Sequence, residues 1–397
     1  MSKNIVICCD GTGNQFGKQN SNVVKLYQAL IQNTTQIAFY HPGVGTTGAR
    51  NALSGIGKWW TRLIGLAFGY GISDNVADAY QFLMREFAPE DRVYVFGFSR
   101  GAYTARALCG MLHAVGLLTQ GNEALIPYAI RMIKRKKIDF AVAAAFKKTF
   151  SRECKPHFVG VWDTVSSVGW VYDAVHFPFT RATKNPDLNI VRHAVSIDER
   201  RAFFRQNSVG APNSSHQDIQ EVWFAGVHSD VGGSYPDSES QLSQIALRWM
   251  LCEARLAGLE IEPRREADLL GGKPPNVVPD PATKNQHKSL HGWWWIAEFW
   301  PKVIQVQTRP DMWHSEIHWN LGRRRLVPLN SLVHESVEQR LASAEIAYRP
   351  GNLPQQRQII RDRCPVAGIA GPDGQILSAS PMWPEEPAAL HHEDGEL

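Results

Sequence analysis

No stretch of the 397-residue sequence is apolar for long enough to cross a bilayer. The longest apolar runs, Leu63 to Ile72 and Phe140 to Phe146, fall far short of the roughly 20 residues that a spanning helix needs. No signal peptide is expected: Met1-Ser-Lys-Asn-Ile-Val-Ile runs straight into a strand pattern without the flanks of one. Cysteine is sparse. There are six, with no C-x-x-C pair for zinc, and Cys8 and Cys9 lie side by side on a strand that reads as buried. The expectation is a soluble protein with reduced thiols and no disulfide framework, cytoplasmic or exported without a cleaved signal peptide. Charge of one sign is also lacking: 42 Lys+Arg against 38 Asp+Glu leaves +4, spread along the whole length. That balance argues against a nucleic-acid partner. At 44% hydrophobic and 20% charged, the chain can bury a sizeable core, which excludes a disordered or fibrous protein.

Strand and helix signals alternate through the first two thirds. Ile5 to Cys9 is a continuous apolar run followed by a Gly-containing loop, Asp10-Gly-Thr-Gly-Asn14, and reads as a strand buried on both faces. Behind it, Asn22 is placed to cap a helix whose Val23, Leu26, Tyr27, Leu30 and Ile31 share one face. Further strands are predicted over Thr35 to Tyr40, Arg92 to Phe98, His157 to Trp162 and Glu221 to Val227. Helices are predicted from Ser73, over Arg100 to Leu112, and around Leu242, Ile245, Trp249 and Met250. Strands separated by helices at this pitch imply an α/β fold: a doubly wound, mainly parallel sheet with helices on both faces. From Pro263 the alternation fades into a Pro- and Gly-rich linker. The expected organisation is therefore a catalytic domain over 1–262 and an α-rich C-terminal accessory region with a frayed tail over 263–397.

The sharpest motif is Gly97-Phe98-Ser99-Arg100-Gly101, with an apolar strand leading in and a helix leading out. That context is a nucleophile elbow, in which a strained turn raises the serine hydroxyl above the sheet. The N–H of Arg100 would stabilise an oxyanion, aided by the helix dipole. A serine nucleophile needs a base, and the base needs a carboxylate to orient it. In the order Ser, Asp, His that such hydrolases use, Asp163 and His228 each follow an apolar run, at the sheet edge where open parallel sheets bind ligands. The loop after the first strand offers a second oxyanion donor at Gly11 or Thr12. The same loop also reads as a tight turn that merely needs glycine.

Six ordered segments together resemble one family: Ile5-Val-Ile-Cys-Cys-Asp-Gly-Thr-Gly-Asn14, His41-Pro-Gly-Val-Gly-Thr46, Gly97-Phe-Ser-Arg-Gly-Ala102, Gly160-Val-Trp-Asp-Thr164, Ile197-Asp-Glu-Arg-Arg201 and Trp223-Phe-Ala-Gly-Val-His-Ser-Asp-Val-Gly-Gly233. They are similar to the type VI secretion phospholipase effectors, an α/β-hydrolase family, over roughly residues 3 to 260. The resemblance implies a Ser–Asp–His enzyme that cleaves phospholipid acyl esters, with the matching positions at Ser99, Asp163 and His228. It leaves room for a secretion-system partner, which the sequence itself does not show; no cofactor and no metal are expected.

Other readings stand beside it. A haloacid-dehalogenase-type phosphatase also starts with a strand and Asp-Gly-Thr, but Cys8 stands where its nucleophilic aspartate is required. Nucleotide folds fail because neither G-x-G-x-x-G after the first strand nor G-x-x-x-x-G-K-[ST] is present. A metal-dependent hydrolase would gather Asp10, Asp163, His228 and Asp230 as ligands. His334 is a rival general base, and a non-catalytic binding protein on the same fold is the third alternative. Two aromatic stretches are candidates for peripheral membrane contact: Trp59-Trp60 through Phe68, as a lid, and Trp293 to Trp300. Packing within the protein explains such tryptophans equally well. The basic cluster Arg131 with Lys134 to Lys137 reads as a solvated helix face or as a contact for anionic head groups.

Overall fold

The computed structural model describes residues 2–11, 17, 19–43, 71–134, 139–165, 177–270, 286–292, 294–299, 302–309 and 312–364. Eight strands form one sheet among them: β1 Asn4–Cys9, β2 Gln36–His41, β3 Arg92–Phe98, β4 Pro156–Trp162, β5 Ile190–Ser196, β6 Asp218–Phe224, β7 Leu332–His334 and β8 Gln358–Ile360. Their order is β2-β1-β3-β4-β5-β6-β7-β8, and every neighbouring pair is parallel. The helices are α1 Asn22–Ala29, α2 Ile72–Glu86, α3 Arg100–Val115, α4 Ile126–Ile133, α5 Phe140–Phe150, α6 His228–Gly232, α7 Gln241–Leu256, α8 Pro263–Leu269, α9 Trp294–Glu298 and α10 Glu335–Ala342.

Alternation along each strand divides the core between two faces. Ile5, Ile7, Val93, Val95, Val159 and Val161 pack with α2 to α5, whereas Val6, Cys8, Tyr94, Phe96, Phe158 and Trp162 pack with α1 and α7. Strands covered on both sides read as near-continuous apolar runs, which is why β1, β3 and β4 were legible in the sequence. The chain leaves β1 toward β2 on one side and takes up β3 on the other. That reversal opens a crevice beyond the carboxyl ends of β1 and β3, where ligands bind in such sheets.

Three expectations change. Strand β5 was not foreseen, because Arg192 and His193 interrupt its apolar run. Both are buried: Arg192 pairs with Glu253 at 2.6 Å and Asp218 at 2.5 Å, and His193 with Glu221 at 2.9 Å. A buried charge is tolerable only with such partners, and their pairing needs the tertiary fold. Strands β7 and β8 are three residues each, too short to show a period, yet they extend the same sheet. The residues after 263 that the structure describes are thus partly built into the central sheet, and a small core of Val195, Trp223, Val327, Val333, Val337 and Tyr348 joins them to it. Finally, Cys252 of α7 is disulfide-bonded to Cys364, while Cys8, Cys9, Cys109 and Cys154 are buried free thiols. The expectation of thiols that are all reduced is corrected by that bond.

Candidate active site

Ser99 stands between β3 and α3 with φ 57° and ψ −120°, a backbone conformation that costs on the order of 1–3 kcal/mol. The turn is this sharp because helix α3 begins directly against the end of β1. A Cβ at Gly101 would lie 2.2 Å from the Cys9 carbonyl oxygen and 2.4 Å from that of Asp10, and one at Gly97 would lie 2.5 Å from the Gly101 carbonyl oxygen. Only hydrogen fits at either position. The Ser99 N–H donates to the Trp162 carbonyl at 3.1 Å, tying the elbow to β4.

The three residues picked out by chain order converge. His228 opens α6, with Nε2 2.9 Å from Ser99 Oγ and Nδ1 2.5 Å from Asp163 Oδ2. Phe98 stacks on the imidazole with ring centroids 4.7 Å apart, and Phe204 meets it edge-on at 4.7 Å. The His228 N–H donates to Glu199 Oε2 at 3.1 Å, which fixes the start of α6. Asp163, itself at φ 40°, follows β4, but His228 does not follow the next strand as the sequence reading supposed. Strand β5 intervenes, and its last residue, Ser196, donates its N–H to Asp163 Oδ1 at 2.9 Å.

Arg325 completes the surroundings of the carboxylate. Its Nη1 lies 2.5 Å from Asp163 Oδ1 and its Nη2 3.0 Å from Oδ2, a two-pronged clamp. Burial by itself would raise the Asp163 carboxyl. The Arg325 charge and the bond to His228 override it and hold the group far below the usual carboxylate range. Burial pushes the His228 imidazole below its ordinary value, and the pull of Asp163 only partly offsets this. For Glu199 burial is again the largest influence and raises the carboxyl, but the bidentate Arg201 reverses it and brings it down to about 2. The Arg201 guanidinium in turn lies over the Phe204 ring at 3.7 Å and the Trp294 ring at 5.0 Å, so α9 closes one side of the site.

The other predicted positions fare differently. Arg100 begins α3, so its N–H sits at the positive end of the helix dipole beside Ser99. The Gly11 N–H is taken by Asp10 Oδ1 at 2.6 Å, which removes it as an oxyanion donor in this arrangement. Thr12, Trp59, Trp60, the remainder of the lid segment through residue 70, residues 135–137, Trp293, Trp300 and the tail beyond 364 lie outside the described residues. Asp10 is a buried anchor whose Oδ2 accepts from the hydroxyls of Ser21 and Tyr40, both at 2.8 Å. Asp230 accepts from the Val227 N–H at 3.0 Å and pairs with His287 at 2.7 Å. Of the four residues of the metal reading, Asp163 and His228 bond to each other, whereas Asp10 is held by Ser21 and Tyr40 and Asp230 by Val227 and His287. Among the described residues, no group of three His, Cys, Asp or Glu is arranged to hold a metal ion. His334 caps α10, pairs with Asp362 at 3.2 Å and stacks on Phe224, and Ser99 is not among its partners.

Sequence reasoning missed Ser196, Glu199, Arg201 and Arg325 as site residues. Ile197-Asp-Glu-Arg-Arg201 carried a usable signal, since it follows β5 at the edge that supplies Asp163. For Arg325 the only trace is the basic run Arg323-Arg-Arg325.

Residues 3–253 match the model of the type VI secretion phospholipase effector Tle1-like catalytic domain. The chain belongs to that family. It is also 26% identical to the uncharacterized protein YEL023C of Saccharomyces cerevisiae, across 91% of this chain and 82% of that protein. An uncharacterized protein from Pseudomonas aeruginosa superposes with a TM-score of 0.40 at 21% identity, over 67% of this chain and 47% of that one. The Tle1 effector bound to the VgrG spike of the type VI secretion system superposes with a TM-score of 0.34 at 17% identity, over 68% of this chain and 76% of that one. The chain thus spans about half the length of the first of these two structures. Membership rests on the sequence model, and it joins the chain to a family of phospholipase effectors.

Proposed function

We propose that this protein is a serine hydrolase that cleaves carboxylic esters, with phospholipid acyl esters as its substrate class, through an acyl-enzyme intermediate. The observation that carries the reading is the unbroken contact from Ser99 Oγ to His228 Nε2 at 2.9 Å and from His228 Nδ1 to Asp163 Oδ2 at 2.5 Å, on an elbow at positive φ. In this mechanism Ser99 Oγ attacks the ester carbonyl while His228 Nε2 takes its proton. Asp163 holds the imidazole in the tautomer that leaves Nε2 free to accept, and stabilises the imidazolium that forms. The Arg100 N–H at the start of α3 supports the oxyanion. Collapse of the tetrahedral species breaks the acyl–oxygen bond, and His228 returns the proton to the departing alcohol. Water, deprotonated by the same imidazole, then releases the acid and regenerates Ser99.

Family membership supports phospholipid as the substrate class. The test is hydrolysis of a soluble nitrophenyl ester and of phospholipid vesicles, with the products identified by mass. Ser99→Ala and His228→Ala should each lose most of the rate, retaining roughly 10³–10⁴ over the uncatalysed reaction. Full activity in either variant would overturn the mechanism. Because burial depresses His228, the base stays neutral below the ordinary histidine value. Activity should hold as pH falls past about 6.5 and decline only at lower pH, as the imidazole takes up a proton.

A further inference from the structure

Arg325 lies outside residues 3–253, the part of the chain that matches the family's catalytic domain, yet it reaches into the centre of the site. It is not a loose surface side chain. Glu298 of α9 accepts from the side-chain amide of Asn320 at 2.7 Å and from the Gly322 N–H at 3.0 Å. Arg200 donates to the Gly322 carbonyl at 2.7 Å, Arg324 pairs with Asp198 at 2.7 Å, and Asn352 donates to the Arg325 carbonyl at 3.0 Å. A backbone pinned at so many points delivers the guanidinium to a fixed place. There it also donates to Ser196 Oγ at 2.8 Å and to the Phe204 carbonyl at 2.5 Å. The whole contact is nearly sealed from solvent, with side-chain exposures of 7% for Arg325 and 1% for Asp163.

The consequence is electrostatic. Arg325 Nη2 and His228 Nδ1 bind the same oxygen, Asp163 Oδ2. Sharing it holds the two nitrogens within about 6 Å, where a fixed positive charge disfavours a second one. The charged groups that face His228 are Asp163 after β4, Glu199 and Arg201 after β5, and Arg325. Phe98 and Phe204 cover the ring faces. Glu199 is paired with Arg201, whose charge also disfavours the imidazolium, and Asp163 is paired with Arg325. We infer that Arg325 is a positioning residue of the hydrolytic site: its fork fixes the Asp163 carboxylate, and its charge keeps His228 an unprotonated base at lower pH than an Asp–His pair alone allows. This rests on the Ser99–His228–Asp163 reading.

The experiment is the pH dependence of kcat/KM on a soluble nitrophenyl ester, using the full chain as wild type, R325K, R325M and S99A. In R325M the acid limb should move up by about one pH unit, because Asp163 then acts on the imidazolium without a competing cation. R325K, which keeps the charge but not the fork, should lose rate while its limb stays near that of the wild type. If R325M loses rate equally at every pH, or loses none, or its limb moves down, the inference is overturned and Arg325 only braces the fold. Should R325M not fold, R325A titrated with guanidinium ion carries the same question. Its limb must return downward as guanidinium rises, and a limb that stays in place, or a variant that guanidinium cannot restore, overturns the inference. S99A separates the two proposals. Hydrolysis that survives in S99A defeats the triad reading itself, whereas a dead S99A with an unmoved R325M limb defeats only the role of Arg325.

Discussion

The two walls of the cleft are built in opposite ways. The wall that carries Ser99 comes from contiguous chain: an apolar strand, the single turn residue Ser99 and a small-residue helix whose start packs against the end of β1. The wall that holds Asp163 is assembled from distant pieces. Ser196 and Glu199 reach the site from the end of β5, and Arg325 from a separate segment 162 residues downstream of Asp163. The first wall depends on what cannot be larger, the glycines at 97 and 101. The second depends on charges that are tolerable in the interior only because each finds its partner there.

This contrast is broken most directly at the elbow. Gly101→Ala places a methyl group against the backbone of Cys9 and Asp10, which cannot yield as a flexible side chain would. Stability should fall by about 3 kcal/mol or more, read from the urea unfolding midpoint. An unchanged midpoint would mean that α3 can slide away from β1. A smaller effect is expected at the other wall. Cys364→Ser, or reduction of the wild type, removes the covalent tie between α7 and the segment that follows β8. The cost should be about 2–4 kcal/mol, measured by unfolding with and without reductant. Arg363 and Glu253, at 2.5 Å, and Arg248 and Asp362, at 3.2 Å, lie beside that tie. If reduction costs nothing, these ion pairs and the two short strands hold the segment unaided. The smallest effect sharpens the assignment of the base. His334→Gln should cost about 1 kcal/mol through the lost cap and pair, with ester hydrolysis kept within about twofold of wild type. A loss comparable to that of His228→Ala would transfer the base role to His334.

Legibility in the sequence followed the same division. Strands β1, β3 and β4 were readable because burial on both faces leaves an unbroken apolar run. Strand β5 was hidden by Arg192 and His193, whose burial is paid for by Glu253, Asp218 and Glu221 far away in the chain. The Gly11 N–H looked like an oxyanion donor because glycine permits close approach. Its actual partner is the carboxylate of the residue before it, a choice that depends on Ser21 and Tyr40 orienting that carboxylate.

By itself, the sequence determined the α/β class, the turn at Ser99 and the order in which serine, aspartate and histidine arrive at one edge of the sheet. Each follows from short-range pattern: a two-residue strand period, a 3.6-residue helix period, and glycines where no Cβ fits. Only the tertiary structure decided that β7 and β8 lengthen the sheet, that Cys252 meets Cys364, and that Arg325 clamps Asp163. Those outcomes depend on which remote segments come to lie together. A buried charge reveals its partner only once packing has excluded water from both.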